Sequence, residues 1–98
     1  MNSRQRSQLI GLAMTTDSIF NVGKDGLSPE FTQAVREALE KRELVKIGVL
    51  KNCDADKREL AQTLAERTGS EVVQIIGSKL VLFKYQKDSR KRKIELVK

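Results

Sequence analysis

The sequence predicts an α/β two-layer sandwich in the order α-β-α-β-α-β-β, with helices laid on a four-stranded mixed sheet. Three observations carry this expectation. Apolar positions with helical spacing alternate along the chain with runs of strand formers. Each strand-helix-strand passage is long enough for a right-handed parallel crossover. A Gly-Ser pair between the last two strand patterns suits a tight antiparallel hairpin. With 98 residues there is room for a single domain and one modest core. That domain is expected to span 1–98, with a packed core over about 3–86 and a basic tail over 87–98.

The elements follow in order. Ser3 is placed to cap a first helix whose apolar residues Leu9, Ile10, Leu12, Ala13 and Met14 fall mainly on one side. "SIFNV", residues 18–22, reads as a strand ending at Gly23. Ser28 as N-cap and Pro29 at the first helical position open the second helix. Phe31, Ala34, Val35, Ala38 and Leu39 form its apolar stripe, and Arg36 with Glu40 and Glu37 with Lys41 are spaced to pair on its wet side. "ELVKIGVL", residues 43–50, alternates as a strand does, with Val45, Ile47 and Val49 on one face. "DADKRELAQTLAERTG" reads as a third helix: Asp56 and Glu59 have capping-box spacing, Leu60, Ala61, Leu64 and Ala65 face inward, and Gly69 stops it. "EVVQII" and "KLVLFKY" flank Gly77-Ser78 as the hairpin strands. The chain closes on "QKDSRKRKIELVK", in which Arg90 to Lys93 form a basic run before a short apolar end. That run is either a solubilising tail or a nucleic-acid contact.

Composition narrows the function. Nineteen Lys and Arg against thirteen Asp and Glu give a net charge of +6, which favours polyanionic partners. The chain has no histidine, the usual neutral-pH acid, base or zinc ligand, so an enzyme, a metal site and a cofactor are not expected. Cys53 has no partner in the chain, which favours a reducing, cytoplasmic setting, and with no histidine to activate it the thiol is read as buried or incidental. The start, "MNSRQRSQLIGLAM", holds no continuous apolar run and resembles neither a signal peptide nor a membrane anchor.

The stretch "NVGKDGLSPEF" is the focus of the functional reading. An Asp-Gly turn normally joins two strands, whereas here a strand precedes Gly23 and a well-marked helix follows Gly26. In that setting backbone N–H groups and a helix N-terminus collect phosphates, Lys24 adds a cation, and the glycines remove side chains that would hold a sugar-phosphate chain away. Asp25 and Glu30 oppose an anion there, and Pro29 deletes one donor, so a purely structural turn is the competing reading. "GKDGLS" is not a P-loop, because Ser18 stands where that motif needs its first glycine. Asp54 and Asp56 do not open a calcium loop, since Arg58 occupies the third ligand position. Arg4, Arg6, Lys46, Lys79 and Lys84 are further candidate contacts. Few aromatic residues exist, and Phe31 and Phe83 read as internal, so contact with backbone suits this chain better than base stacking.

"LIGLAM", "GKDGLS", "ALEKRELVKIGV" and "QIIGSKLVLFK" resemble, in this order, the CRM domain, the chloroplast RNA splicing and ribosome maturation module, and its small free-standing bacterial members, the YhbY-like proteins. The likeness runs from about Leu9 to Lys84. It implies an RNA-binding domain with a fold similar to the C-terminal domain of bacterial translation initiation factor three, and a glycine loop like that of KH domains, which clamps nucleic-acid backbone. The loop role then falls on Gly23, Lys24, Asp25 and Gly26, and the bacterial members' association with precursors of the large ribosomal subunit implies ribosomal RNA as partner. The expectation is therefore a non-enzymatic RNA-binding protein of large-subunit assembly. A protein-interaction adaptor, docking on a ribosomal protein or assembly factor, is the alternative; neither a membrane nor a small-molecule substrate is expected.

Overall fold

The structure, a computed structural model, describes residues 1–98. Three helices, α1 (Ser3–Met14), α2 (Pro29–Arg42) and α3 (Lys57–Thr68), combine with strands β1 (Ser18–Val22), β2 (Leu44–Val49), β3 (Glu71–Ile76) and β4 (Lys79–Phe83). The element order is the expected α-β-α-β-α-β-β. The sheet runs β1-β2-β4-β3, with β1 parallel to β2 and β4 antiparallel to both of its neighbours.

One sheet face packs on α2 and α3. Val22, Val45, Ile47, Val49, Leu80 and Leu82 from the strands meet Val35, Leu39, Leu60, Ala61 and Leu64 from the helices. Cys53, Phe20 and Phe31 line this core, the two rings edge to face at 5.7 Å. The other face is covered only in part. Leu9 and Ala13 of α1 pack on Leu44, Val73, Val81 and Phe83, while Leu12 and Met14 stay exposed. The two main layers are the sheet and the pair α2 and α3 on one face, and α1 packs on part of the other face.

The caps explain where the helices begin and end. Ser28 Oγ accepts from Phe31 N–H, with Pro29 at the first position as expected. The α1 cap is Asn2 instead of Ser3: Asn2 and Gln5 exchange side-chain to backbone bonds in a full capping box, which serine one residue later cannot form. Asp56 caps α3 through Arg58 N–H without a returning bond from Glu59. Gly69, at φ +68°, closes α3. Gly77 takes φ +54° in the β3-β4 turn.

The second strand begins one residue later than its alternation implies. Glu43 is the C-cap of α2, at φ +67° and 1% exposed. Its carboxylate accepts the N–H groups of Lys93 (2.6 Å) and Ile94 (3.2 Å), and its carbonyl accepts Lys84 N–H at 2.8 Å. The residues after β4 are thereby docked as a strap. Ile94 and Leu96 reach the cluster beneath α1, and Gln8 and Gln5 of α1 bond the strap backbone at Glu95 and Val97.

The two ion pairs expected along α2 do not form. Glu40 instead pairs with Lys84, Nζ to Oε1 at 2.6 Å, and Arg36 donates across to the Arg67 carbonyl at the end of α3. Tertiary partners displace helix neighbours because i, i+4 pairs are worth only a few tenths of a kcal/mol. The hydrogen bond from Lys84 and then its charge hold the Glu40 carboxyl below its ordinary value of 4.5. A carboxyl lowered on folding stabilises the fold above its unfolded value and loses that contribution as pH falls through the folded one. In an NMR titration Glu40 is expected to protonate below its ordinary value, and Lys84→Met to bring it back up. Coincident titration in both proteins would refute the pairing.

Candidate functional site

Parallel pairing sets the geometry of the site. Because β1 and β2 run side by side in one direction, the loops at their carboxyl ends emerge together, the usual place for ligands on such sheets. The loop after β1 holds Gly23, Lys24, Asp25 and Gly26 as a turn closed by Gly26 N–H donating to the Gly23 carbonyl at 3.1 Å. Gly26 takes φ +65° and faces open space. The need at Gly23 is different: a Cβ there would lie 3.2 Å from Asn52 Oδ1 and 3.3 Å from Leu50 Cδ1, so glycine lets the neighbouring loop close on it.

Lys24 and Asp25 are exposed and unpaired. The N–H groups of Lys24, Asp25, Leu27 and Ser28 donate to no protein acceptor. The donor lost at Pro29 is therefore outweighed by those of the loop itself, and the positive end of α2 adds to their field. Four free amides beside a lysine form a surface on which an anionic oxygen chain can be held without any side chain reading it.

Lys51 and Asn52, in the turn closed by Cys53 N–H on the Leu50 carbonyl (3.0 Å), stand beside the glycine turn. Sequence reading missed them. The parallel crossover pattern was the available signal, since it places the loop after β2 against the loop after β1.

The sheet surface nearest these loops is open. Asn21, Gly48, Lys79 and Ile76 lie in one row across β1, β2, β4 and β3. A Cβ on Gly48 would sit 2.5 Å from Asn21 Oδ1 and 3.2 Å from Lys79 Nζ, so both polar tips lie over the glycine. Lys79 thus joins the glycine-loop end as a free cation.

The other predicted contacts are placed elsewhere. Lys46 shares that sheet face but donates to the Ala13 carbonyl at 3.0 Å, capping the end of α1. Arg6 donates to the carbonyls of Val72 (3.0 Å) and Val73 (2.8 Å) where β3 bulges. Arg4 is exposed on α1 beside Val97. Lys84, paired with Glu40, lies past the end of β4 and so at the opposite end of the sheet from the glycine turn. The structure brings together Gly23, Lys24, Asp25, Gly26 and Lys79, and leaves Arg4, Arg6, Lys46 and Lys84 apart. No group of three or more Cys, Asp or Glu side chains is disposed to hold a metal ion, and no helix is long and apolar enough to cross a membrane.

Such a fold and site define a class: a small α/β domain presenting a glycine turn, free amides and lysines at the carboxyl ends of two adjacent parallel strands. The chain belongs to the CRS1/YhbY (CRM) domain family, whose model matches residues 1–84. It is 38% identical over 90 residues to a Bacillus subtilis protein named "Probable RNA-binding protein YqeI", covering 92% of this chain and 94% of that one. It also resembles, with a TM-score of 0.81 and 41% identity over 99% of both chains, the solution structure of the "hypothetical protein SAV1595 from Staphylococcus aureus, a putative RNA binding protein".

Proposed function

We propose that this chain binds RNA, holding its backbone at the glycine-loop end, and does so in the cytoplasm during assembly of the large ribosomal subunit. The observation that carries the binding is the group of four unclaimed amides beside Lys24 on a turn whose Gly26 offers no side chain to a ligand. Family membership and the RNA-binding descriptions of its relatives support the polymer; the ribosomal setting rests on the resemblance to the free-standing bacterial members. Lys51 and Lys79 flank the path of a strand leaving the turn. No acid-base pair or metal cluster enters this reading.

A filter-binding titration against salt tests it. Direct contact predicts a straight fall of log K with log salt, by about 0.7 per phosphate neutralised on single strands. Crosslinking in cells, followed by sequencing of the bound RNA, is expected to enrich large-subunit precursor RNA. Absence of that enrichment would refute the ribosomal setting.

The adaptor reading has one observation of its own. Met14 is 78% exposed and Ile76 56% exposed at the rim of the open sheet face, an apolar edge suited to a protein partner. A ribosomal complex that survives both RNase and high salt would favour it over direct RNA contact.

Gly48→Ala probes the open row. The nearest atoms to its Cβ are the tips of Asn21 and Lys79, which can swing away, and alanine suits a strand interior better than glycine, so stability is expected to change by less than about 1 kcal/mol. If RNA crosses this row, affinity falls as both tips are displaced; unchanged affinity would remove the row from the interface.

A further inference from the structure

The net charge of +6 is not spread over the molecule. Residues 84–98 hold seven cations (Lys84, Lys87, Arg90, Lys91, Arg92, Lys93, Lys98) against Asp88 and Glu95, a net +5, which leaves +1 for the other 83 residues. The polyanion signature of this chain therefore lies almost wholly in its strap, and the strap is docked at the end of the molecule away from the glycine turn.

The docking fixes the strap and presents four of these cations, Lys87, Arg90, Lys91 and Lys93, outward. Glu43 holds the strap by the N–H groups of Lys93 and Ile94, Arg92 lies 4.3 Å from the Tyr85 ring centre, and its guanidinium donates twice to the Gln86 carbonyl (3.0 and 2.9 Å). From Lys91 to Leu96 exposure alternates residue by residue: Arg92, Ile94 and Leu96 turn inward, while Lys91 and Lys93 turn out. Lys87 and Arg90 are exposed as well; Arg90 pairs with Asp88, Nε to Oδ1 at 3.3 Å, which fixes its guanidinium while leaving most of it open to solvent.

The distance between the two basic ends follows from α2. Its N-cap Ser28 adjoins the glycine turn and its C-cap Glu43 holds the strap, fifteen residues apart and so about 22 Å at the helical rise. Between them the exposed surface of α2 carries Glu30, Glu37 and Glu40 against Arg36, Lys41 and Arg42, so it adds no net positive charge to draw a phosphate chain along the helix. The helix therefore offers no continuous basic track joining the two ends.

Resting on the RNA-binding reading above, we infer that the strap is a second, separate phosphate-binding surface, built from Lys87, Arg90, Lys91 and Lys93, and that one molecule holds two segments of RNA at its opposite ends. The partner is a nucleic-acid backbone in preference to a membrane because the strap turns Ile94 and Leu96 into the protein and exposes only Tyr85 and Val97, two isolated side chains that do not make the apolar face a lipid surface needs.

Two variants of the full chain test this: Lys87→Gln/Arg90→Gln/Lys91→Gln at the strap, and Lys24→Glu/Gly26→Asp at the turn. With poly(U), the strap variant is expected to keep its fold and to lose about 2 from the log K against log salt slope, roughly 0.7 for each of its cations. With biotinylated and fluorescent poly(U) mixed, the wild type is expected to carry the fluorescent RNA onto streptavidin. Each variant alone is expected to bind RNA yet fail to bridge, and a mixture of the two to remain unable to bridge. An unchanged salt slope with bridging intact in the strap variant would overturn the inference, as would bridging by the mixture or preferential binding of the strap to phosphatidylserine vesicles. If the turn variant loses affinity and the strap variant does not, this inference alone fails; if the wild type shows no RNA binding, the functional reading fails with it.

Discussion

Lys24→Glu combined with Gly26→Asp is expected to lower RNA affinity by about 10- to 100-fold in a filter-binding assay, with an unaltered circular dichroism spectrum. The magnitude follows from losing a charge-assisted contact worth about 1.5–3 kcal/mol, at about 1.4 kcal/mol per factor of ten. Two new carboxylates beside the free amides add repulsion. The fold should persist because a Cβ on Gly26 meets nothing within 4 Å, and aspartate is among the few residues that tolerate a positive φ such as the +65° found there. Unchanged affinity in a folded protein would remove the loop from the interface and leave the turn a purely structural one.

Glu43→Ala carries the largest expected effect on stability. The substitution strips two N–H groups of their acceptor and releases the strap, while the strain of an L residue at a φ of +67° stays as it is with glutamate. Each bond to a charged acceptor contributes about 1.5–3 kcal/mol, offset in part because a buried carboxylate is no longer desolvated. A net loss of about 2–3 kcal/mol is expected, which for a domain of this size lowers Tm by roughly 10–20 °C. Hydrogen exchange should show the amides of Lys93 and Ile94 losing their protection. Glu43→Gly relieves the backbone strain without restoring the acceptor, so it should destabilise less while freeing the strap equally. A Tm within a few degrees of the wild type for Glu43→Ala would refute the anchoring role.

The contrast between Ser28 and Glu43 shows what the sequence made legible. Ser28 and Pro29 begin α2 by bonds to residues three and four positions away, so local spelling sufficed to place them. Glu43 ends the same helix through partners fifty residues further on, and nothing in the alternation of "ELVKIGVL" marks it as more than the first residue of a strand. The same division holds at the site. The glycine turn was readable because a strand and a capped helix flank it in the chain. The roles of Lys46 and Arg6 were not, because each reaches a carbonyl that only tertiary packing brings near: the end of α1 for Lys46 and the bulge of β3 for Arg6. Basic composition suggested a polyanion partner without showing that most of the net charge sits beyond β4.

That uneven charge has an electrical consequence for how the two ends act on one another. At physiological ionic strength the screening length is about 8 Å, well short of the roughly 22 Å spanned by α2, so the strap's field barely reaches the glycine turn. In dilute buffer near 0.01 M the screening length grows to about 30 Å, and both ends fall within one field. The turn and the strap should therefore behave as independent contacts in the cell and as a single extended attractor at low salt. An affinity measured for the turn in dilute buffer would contain a contribution from cations that never touch the same phosphate.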